Sequence, residues 1–106
     1  MLIVERIYLI SKEFPKEEQF GLTSQLRRAA ISIPSNISEG AGRGTDKDFN
    51  RFLDMTNGSI NEVETQLLLA QRLGFLDASE ELDQIYKGLD EVQKMIFSLQ
   101  RNIKNQ

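Results

Sequence analysis

The stretch FGLTSQLRRAAISIPSNISEGAGRGTDKDFNRF, Phe20 to Phe52, decides how this chain folds. Leu22, Leu26, Ala29, Ala30, Ile33, Ile37 and Ala41 recur at spacings of three and four, the stripe of a helix with a single buried face. Pro34 falls inside that stripe. It removes one backbone hydrogen bond and crowds the carbonyl of Ala30, at a cost of about 3 kcal/mol, so one kinked helix is expected rather than two. Ser32, Ser35 or water are placed to satisfy the freed carbonyls. Gly40, Gly42 and Gly44 read as a helix stop and a flexible corner. With no strand before them and no Gly-Lys-Ser/Thr after, they are not a phosphate-binding loop. Thr45 followed by Asp48 has the form of a capping box, so a third helix begins at about Asp46.

Upstream, Ile3, Ile7, Ile10 and Phe14 fall on one side of a short first helix, with Leu2 and Leu9 widening the stripe. Pro15 ends it, because the residue before a proline avoids helical geometry. Lys16 to Gln19 form a charged connection, and Gly21 or Thr23 caps the helix that follows. Downstream, Phe49, Leu53, Thr56, Ile60, Val63, Leu67 and Ala70 alternate spacings of four and three, the seam of a coiled coil or bundle, with Phe52 and Leu73 on one flank. Gly74 stops that helix with Phe75 in contact, and Asp77 with Glu80 supplies the next capping box. Leu82, Ile85, Leu89, Val92, Ile96, Leu99 and Ile103 then make a second seam with every position apolar. Gly88 is the one weak helix former within it.

No segment alternates with period two, so no sheet is expected. The fold class is all-α: an antiparallel up-down-up-down four-helix bundle with a shortened first helix and a proline in the second. At 106 residues the chain is one domain, 1–106. A hydrophobic fraction of 40% and a charged fraction of 27% place it among ordinary globular proteins rather than disordered ones.

Cysteine and histidine are both absent, which removes thiol nucleophiles, disulfides, zinc-finger ligands and the usual general base. A di-iron bundle needs Glu-x-x-His and is excluded with them. Glu62 and Glu64 do not share a helix face, and Asp90 and Glu91 are adjacent, so neither pair has catalytic geometry. No enzyme activity, cofactor, metal or small-molecule substrate is expected. A carboxylate hydrolase would require a polar cleft with perturbed acids. No apolar run reaches the roughly 20 residues that span a bilayer. MLIVERIYLI is broken by Glu5 and Arg6 and reads as a helix face rather than a signal peptide. The expected location is the cytoplasm, without membrane contact.

Thirteen Lys and Arg against sixteen Asp and Glu leave a net charge of -3, which argues against indiscriminate binding along nucleic acid. The distribution is uneven: residues 1–44 carry +1, while 45–76 and 77–106 carry -2 each. Arg43, Lys47 and Arg51 are spaced by four and form a short basic row, with Arg27 and Arg28 on the preceding helix. Such a row suits phosphates, although Glu39, Asp46, Asp48 and Asp54 lie near enough for ordinary surface pairing. Ile31, Leu69, Tyr86 and Phe97 lie off the seams on three different helices, and contiguous apolar patches of this kind often mark subunit contacts.

Leu26-Arg27-Arg28-Ala29-Ala30, Ser32-Ile33-Pro34, Asn36-Ile37, Glu39-Gly40, Phe52-Leu53 and Gly74-Phe75-Leu76-Asp77 together resemble the four-helix-bundle proteins encoded within intervening sequences of bacterial 23S rRNA genes. The resemblance runs from about Phe14 to the end. It implies a ring-shaped homopentamer. It also implies kinship with accessory proteins of diversity-generating retroelements, pentamers that bind a reverse transcriptase and nucleic acid through basic surfaces. Members of the family usually begin with a longer first helix bearing a Trp, which this chain lacks, and the retroelement relatives are basic where this chain is acidic. The expectation is a homo-oligomeric scaffold for RNA or a reverse-transcriptase-like protein, with Arg27, Arg28, Arg43, Lys47 and Arg51 as phosphate contacts. The alternative is an adaptor that binds only protein.

Overall fold

Thr45 and Gly74 bracket the longest helix of the protein, and the rest of the bundle is laid against it. A computed structural model describes residues 1–104. The elements are α1 (Leu2–Ser11), a 3-10 turn (Lys16–Glu18), α2 (Leu22–Ala41), α3 (Asp46–Arg72) and α4 (Glu80–Lys104). Among the described residues there is no strand. The expected domain, 1–106, extends two residues beyond them.

The Thr45 hydroxyl accepts from the Asp48 N–H at 3.2 Å, satisfying one of the free donors at the start of α3. At the other end Gly74 adopts φ +81. There Phe75 N–H donates to the Ala70 carbonyl at 2.9 Å and Gly74 N–H to that of Gln71 at 3.1 Å, the paired bonds of a Schellman cap. The cap turns Phe75 back against the core, where its ring lies 6.2 Å from that of Phe14.

Each helix packs on two neighbours: α1 and α3 each touch α2 and α4, and neither diagonal pair is in contact. The α1–α2 side of the bundle is therefore opposite the α3–α4 side. Between them lie Ile7, Leu26, Ile33, Leu53, Ile60 and Leu67, all fully buried, with Leu82, Ile85 and Leu89 from α4. Thr56 is also buried in the α3 seam, its hydroxyl donating to the Phe52 carbonyl at 2.9 Å, so the one polar seam residue is satisfied within its own helix.

The bundle corrects several details of the sequence reading. Gly40 lies in the last turn of α2, where its carbonyl accepts from Arg43 N–H at 3.2 Å, but the glycine itself is required by packing. It is buried inside α2 against Phe52, where a β-carbon would stand 2.5 Å from the Phe52 Cβ, while Gly42 closes the helix with right-handed geometry and Gly44 takes the left-handed turn at φ +88. The cap of α4 is Ser79, whose hydroxyl accepts from Leu82 N–H at 3.1 Å, because the helix begins at Glu80 and Asp77 lies too far ahead of it. Pro34 sits inside a continuous α2, and Ser32 Oγ donates at 2.9 Å to the Arg28 carbonyl, not to the Ala30 carbonyl that the proline frees. First-helix geometry ends at Ser11, four residues before Pro15.

Leu2 and Leu9 do not widen the buried stripe. Each is 61% exposed at the rim between α1 and α4, because α1 meets its neighbours through Ile3, Ile7 and Ile10. Ala41, Leu73 and Leu99 are exposed as well. For Leu99 the reason is length: the ten residues of α1 reach about 15 Å, and its start, Leu2 and Ile3, lies level with Val92 and Met95. Beyond that level α4 loses one of its two neighbours.

Candidate nucleic-acid interface

Arg27 does more than present charge. Its Nε donates to the Ser11 hydroxyl at 2.9 Å and its Nη2 to the Tyr8 carbonyl at 3.1 Å, and the guanidinium lies 4.7 Å from the centre of the Tyr8 ring. The Ser11 hydroxyl in turn donates to that same carbonyl at 3.2 Å. Arg27 therefore joins α2 to the last turn of α1, satisfying carbonyl and hydroxyl groups that the short helix leaves open.

Around this junction two adjoining grooves run along the α1–α2 side. One is lined by Tyr8, Phe20, Ser24, Arg28 and Ile31, the other by Lys12, Phe14, Pro15 and Lys16, and they share Gln19, Thr23 and Arg27. Neither contains a carboxylate. The grooves between α1 and α4 differ, carrying Glu13, Glu81 and Glu91 beside Arg6 and Lys87. A chain of net charge -3 thus keeps the lining of these two grooves basic, although Glu17 and Glu18 stand on the connection beside them. Phe20, 91% exposed, stands at the edge of that side.

The remaining basic residues gather at the α2–α3 corner. Arg43 and Arg51 approach the Phe52 ring, their guanidinium carbons 5.1 and 5.0 Å from its centre, and Lys47 is exposed between them in sequence. Arg43 also pairs with Glu39 at 3.0 Å, and Arg51 reaches Asp48 at 4.0 Å. Both pairs are largely solvated and contribute little to stability. The corner is close to neutral once Glu39, Asp46 and Asp48 are counted with its three cations. It lies sixteen residues from Arg27, about 24 Å along the helix axis. The five basic residues therefore form two clusters, Arg27 with Arg28 and Arg43 with Lys47 and Arg51.

Of the residues expected at subunit contacts, Ile31, Leu69 and Phe97 are 44%, 45% and 65% exposed. Ile31 lies in the basic groove; Leu69 and Phe97 belong to α3 and α4, on other sides of the bundle. Tyr86 is half-buried, and its hydroxyl donates to Gln71 Oε1 at 3.3 Å. Burial, and to a smaller extent the Glu64 carboxylate, hold its phenol above the ordinary value of 10.0. Among the described residues no three Asp or Glu side chains converge as metal ligands, and no helix is long and apolar enough to cross a membrane.

Tyr8, Phe20, Lys12 and Lys16 were not legible as site residues. Tyr8 in α1 and Phe20 just before α2 are off-stripe aromatics twelve residues apart, and only the packing of α1 on α2 brings them to one groove. The off-stripe position of each was the available signal.

No curated protein matches the sequence. A family model described as 23S rRNA-intervening sequence protein matches residues 1–98, nearly the whole chain and all but the end of α4. The chain therefore belongs to the 23S rRNA-intervening sequence protein family.

Proposed function

We propose that this protein is a non-enzymatic scaffold of the cytoplasm that assembles with copies of itself, as a pentamer, and binds RNA. One observation carries the assembly: twelve large apolar side chains are two-fifths or more exposed in a chain of 106 residues. Isolated exposed apolar residues are ordinary, but many on one small domain favour burial by partners. Met55 and Leu69 on α3 and Leu73 at its C-cap recur at spacings of fourteen and four, which puts them on one solvent-facing strip. Leu69, Phe97 and the half-buried Tyr86 are the contacts we assign to neighbouring subunits. Ile31 is left to the basic groove. Pentamer number follows the resemblance to ring-forming relatives, among them the accessory proteins of diversity-generating retroelements.

RNA binding is supported by the carboxylate-free lining of the two α1–α2 grooves and by membership in a family named for rRNA intervening sequences. Phosphates are assigned to Arg27, Arg28, Arg43, Lys47 and Arg51. A gel-shift titration of a structured RNA at low salt tests this: replacing all five by Ala should abolish the shift, and an unchanged affinity would refute it. The neutralised corner favours a second reading, an adaptor that binds only protein, such as a reverse-transcriptase-like partner. A partner interaction insensitive to salt would support that reading instead.

A further inference from the structure

Phe20 protrudes where an apolar side chain gains nothing from the fold. At 91% exposure it is far outside the core, yet the chain around it is ordered by short bonds: Gln19 N–H donates to the Lys16 carbonyl at 3.1 Å and Gly21 N–H to that of Glu18 at 3.0 Å. The backbone that carries the ring is thus ordered, and the ring lines one groove with Arg28 and with Arg27, whose guanidinium faces Tyr8. Arg27 spends two of its five N–H donors on Ser11 and Tyr8 and keeps three for a ligand. Lys12 and Lys16 extend the positive lining on the far side of Arg27.

We infer that the α1–α2 groove binds single-stranded nucleic acid, with an unpaired base stacked on Phe20 and the flanking phosphates held by Arg27, Arg28, Lys12 and Lys16. This rests on the RNA-binding reading and names the form of nucleic acid and the place it binds. An aromatic ring beside a cationic track is how strands are held without regard to sequence, because every base has a face to stack. A duplex buries those faces and offers Phe20 only its backbone. An acidic peptide would match the charge but offers no flat face to stack on the exposed Phe20 ring, as a base does.

The test is fluorescence anisotropy of the full chain with a labelled ten-nucleotide RNA strand of mixed sequence, the DNA strand of the same sequence, the RNA duplex and a polyglutamate peptide. Phe20→Ala should weaken strand binding roughly fivefold or more, while Phe20→Tyr keeps it. Phe20 is too exposed for its loss to unfold the protein. Arg28→Ala should lower the log–log salt slope by about 0.7. A Phe20-dependent gain with either the RNA or the DNA strand supports the groove. Equal affinity for duplex and strand, or binding unaffected by Phe20→Ala, overturns it. If RNA binding survives Phe20→Ala but is lost when Arg43, Lys47 and Arg51 become Ala, the groove is wrong and the RNA scaffold stands. If the wild type binds polyglutamate and no nucleic acid, both fall.

Discussion

Gly40 of α2 and Phe52 of α3 meet so closely that a β-carbon on the glycine would stand 2.5 Å from the Phe52 Cβ. Ala is the better helix former by about 1 kcal/mol, but overpacking a helix contact costs about 1–3 kcal/mol. The obstacle is a β-carbon close to the backbone, which cannot swing aside, so the steric cost wins. Gly40→Ala should lower stability by about 1 kcal/mol or more in chemical denaturation. Gly58, mid-helix in α3 with nothing near its missing side chain, supplies the control: Gly58→Ala should raise stability by about 0.5–1 kcal/mol.

Arg27 should matter to α1 in a way that its neighbour Arg28 does not. A helix of ten residues is below the length of about 12–15 at which isolated helices persist, so α1 depends on its docking. Arg27→Lys keeps the charge and loses the fork that reaches both Ser11 and the Tyr8 carbonyl. The expected cost is about 1–2 kcal/mol, with faster hydrogen exchange confined to α1. Arg28→Lys should leave exchange in α1 unchanged.

The two observed caps can be told from the expected one by substitution. Thr45→Ala and Ser79→Ala should each cost about 1 kcal/mol, since each removes an acceptor from a helix-start N–H. Asp77→Ala should fall within about 0.5 kcal/mol of wild type. Thermal unfolding of the three variants measures the difference.

Tyr86 should make the fold sensitive to alkali. Burial and the Glu64 carboxylate raise its phenol above 10.0, so the native state holds a proton that the unfolded state releases. The stabilising preference for the neutral phenol is complete below pH 10 and fades as pH rises through the higher native value. With Tyr8→Phe leaving Tyr86 the sole tyrosine, phenolate absorbance should appear above pH 10 in step with falling stability. Tyr86→Phe should flatten that fall.

The seams of α3 and α4 were readable because they bury one face of long helices: Leu53, Ile60 and Leu67, like Leu82, Ile85 and Leu89, stand where the spacing puts them. Thr45 and Gly74 were readable because a helix end is a local problem with local solutions. Gly40 was not, since its requirement comes from Phe52, twelve residues away and on another helix. Leu99 follows the seam of its own helix and is exposed because α1 stops short of it. The candidate site was half legible. Arg27 and Arg28 were visible as charge, but a groove with Phe20 on one edge and no acid in its lining exists only after α1 has folded onto α2.

Self-assembly is the claim from which the scaffold reading follows, and molar mass in solution tests it most directly. Light scattering on the purified chain at micromolar concentration should give about five times the 12.1 kDa subunit, and Leu69→Glu with Phe97→Glu should shift the mass downward without loss of helix. A wild-type mass of one subunit at that concentration would contradict the account.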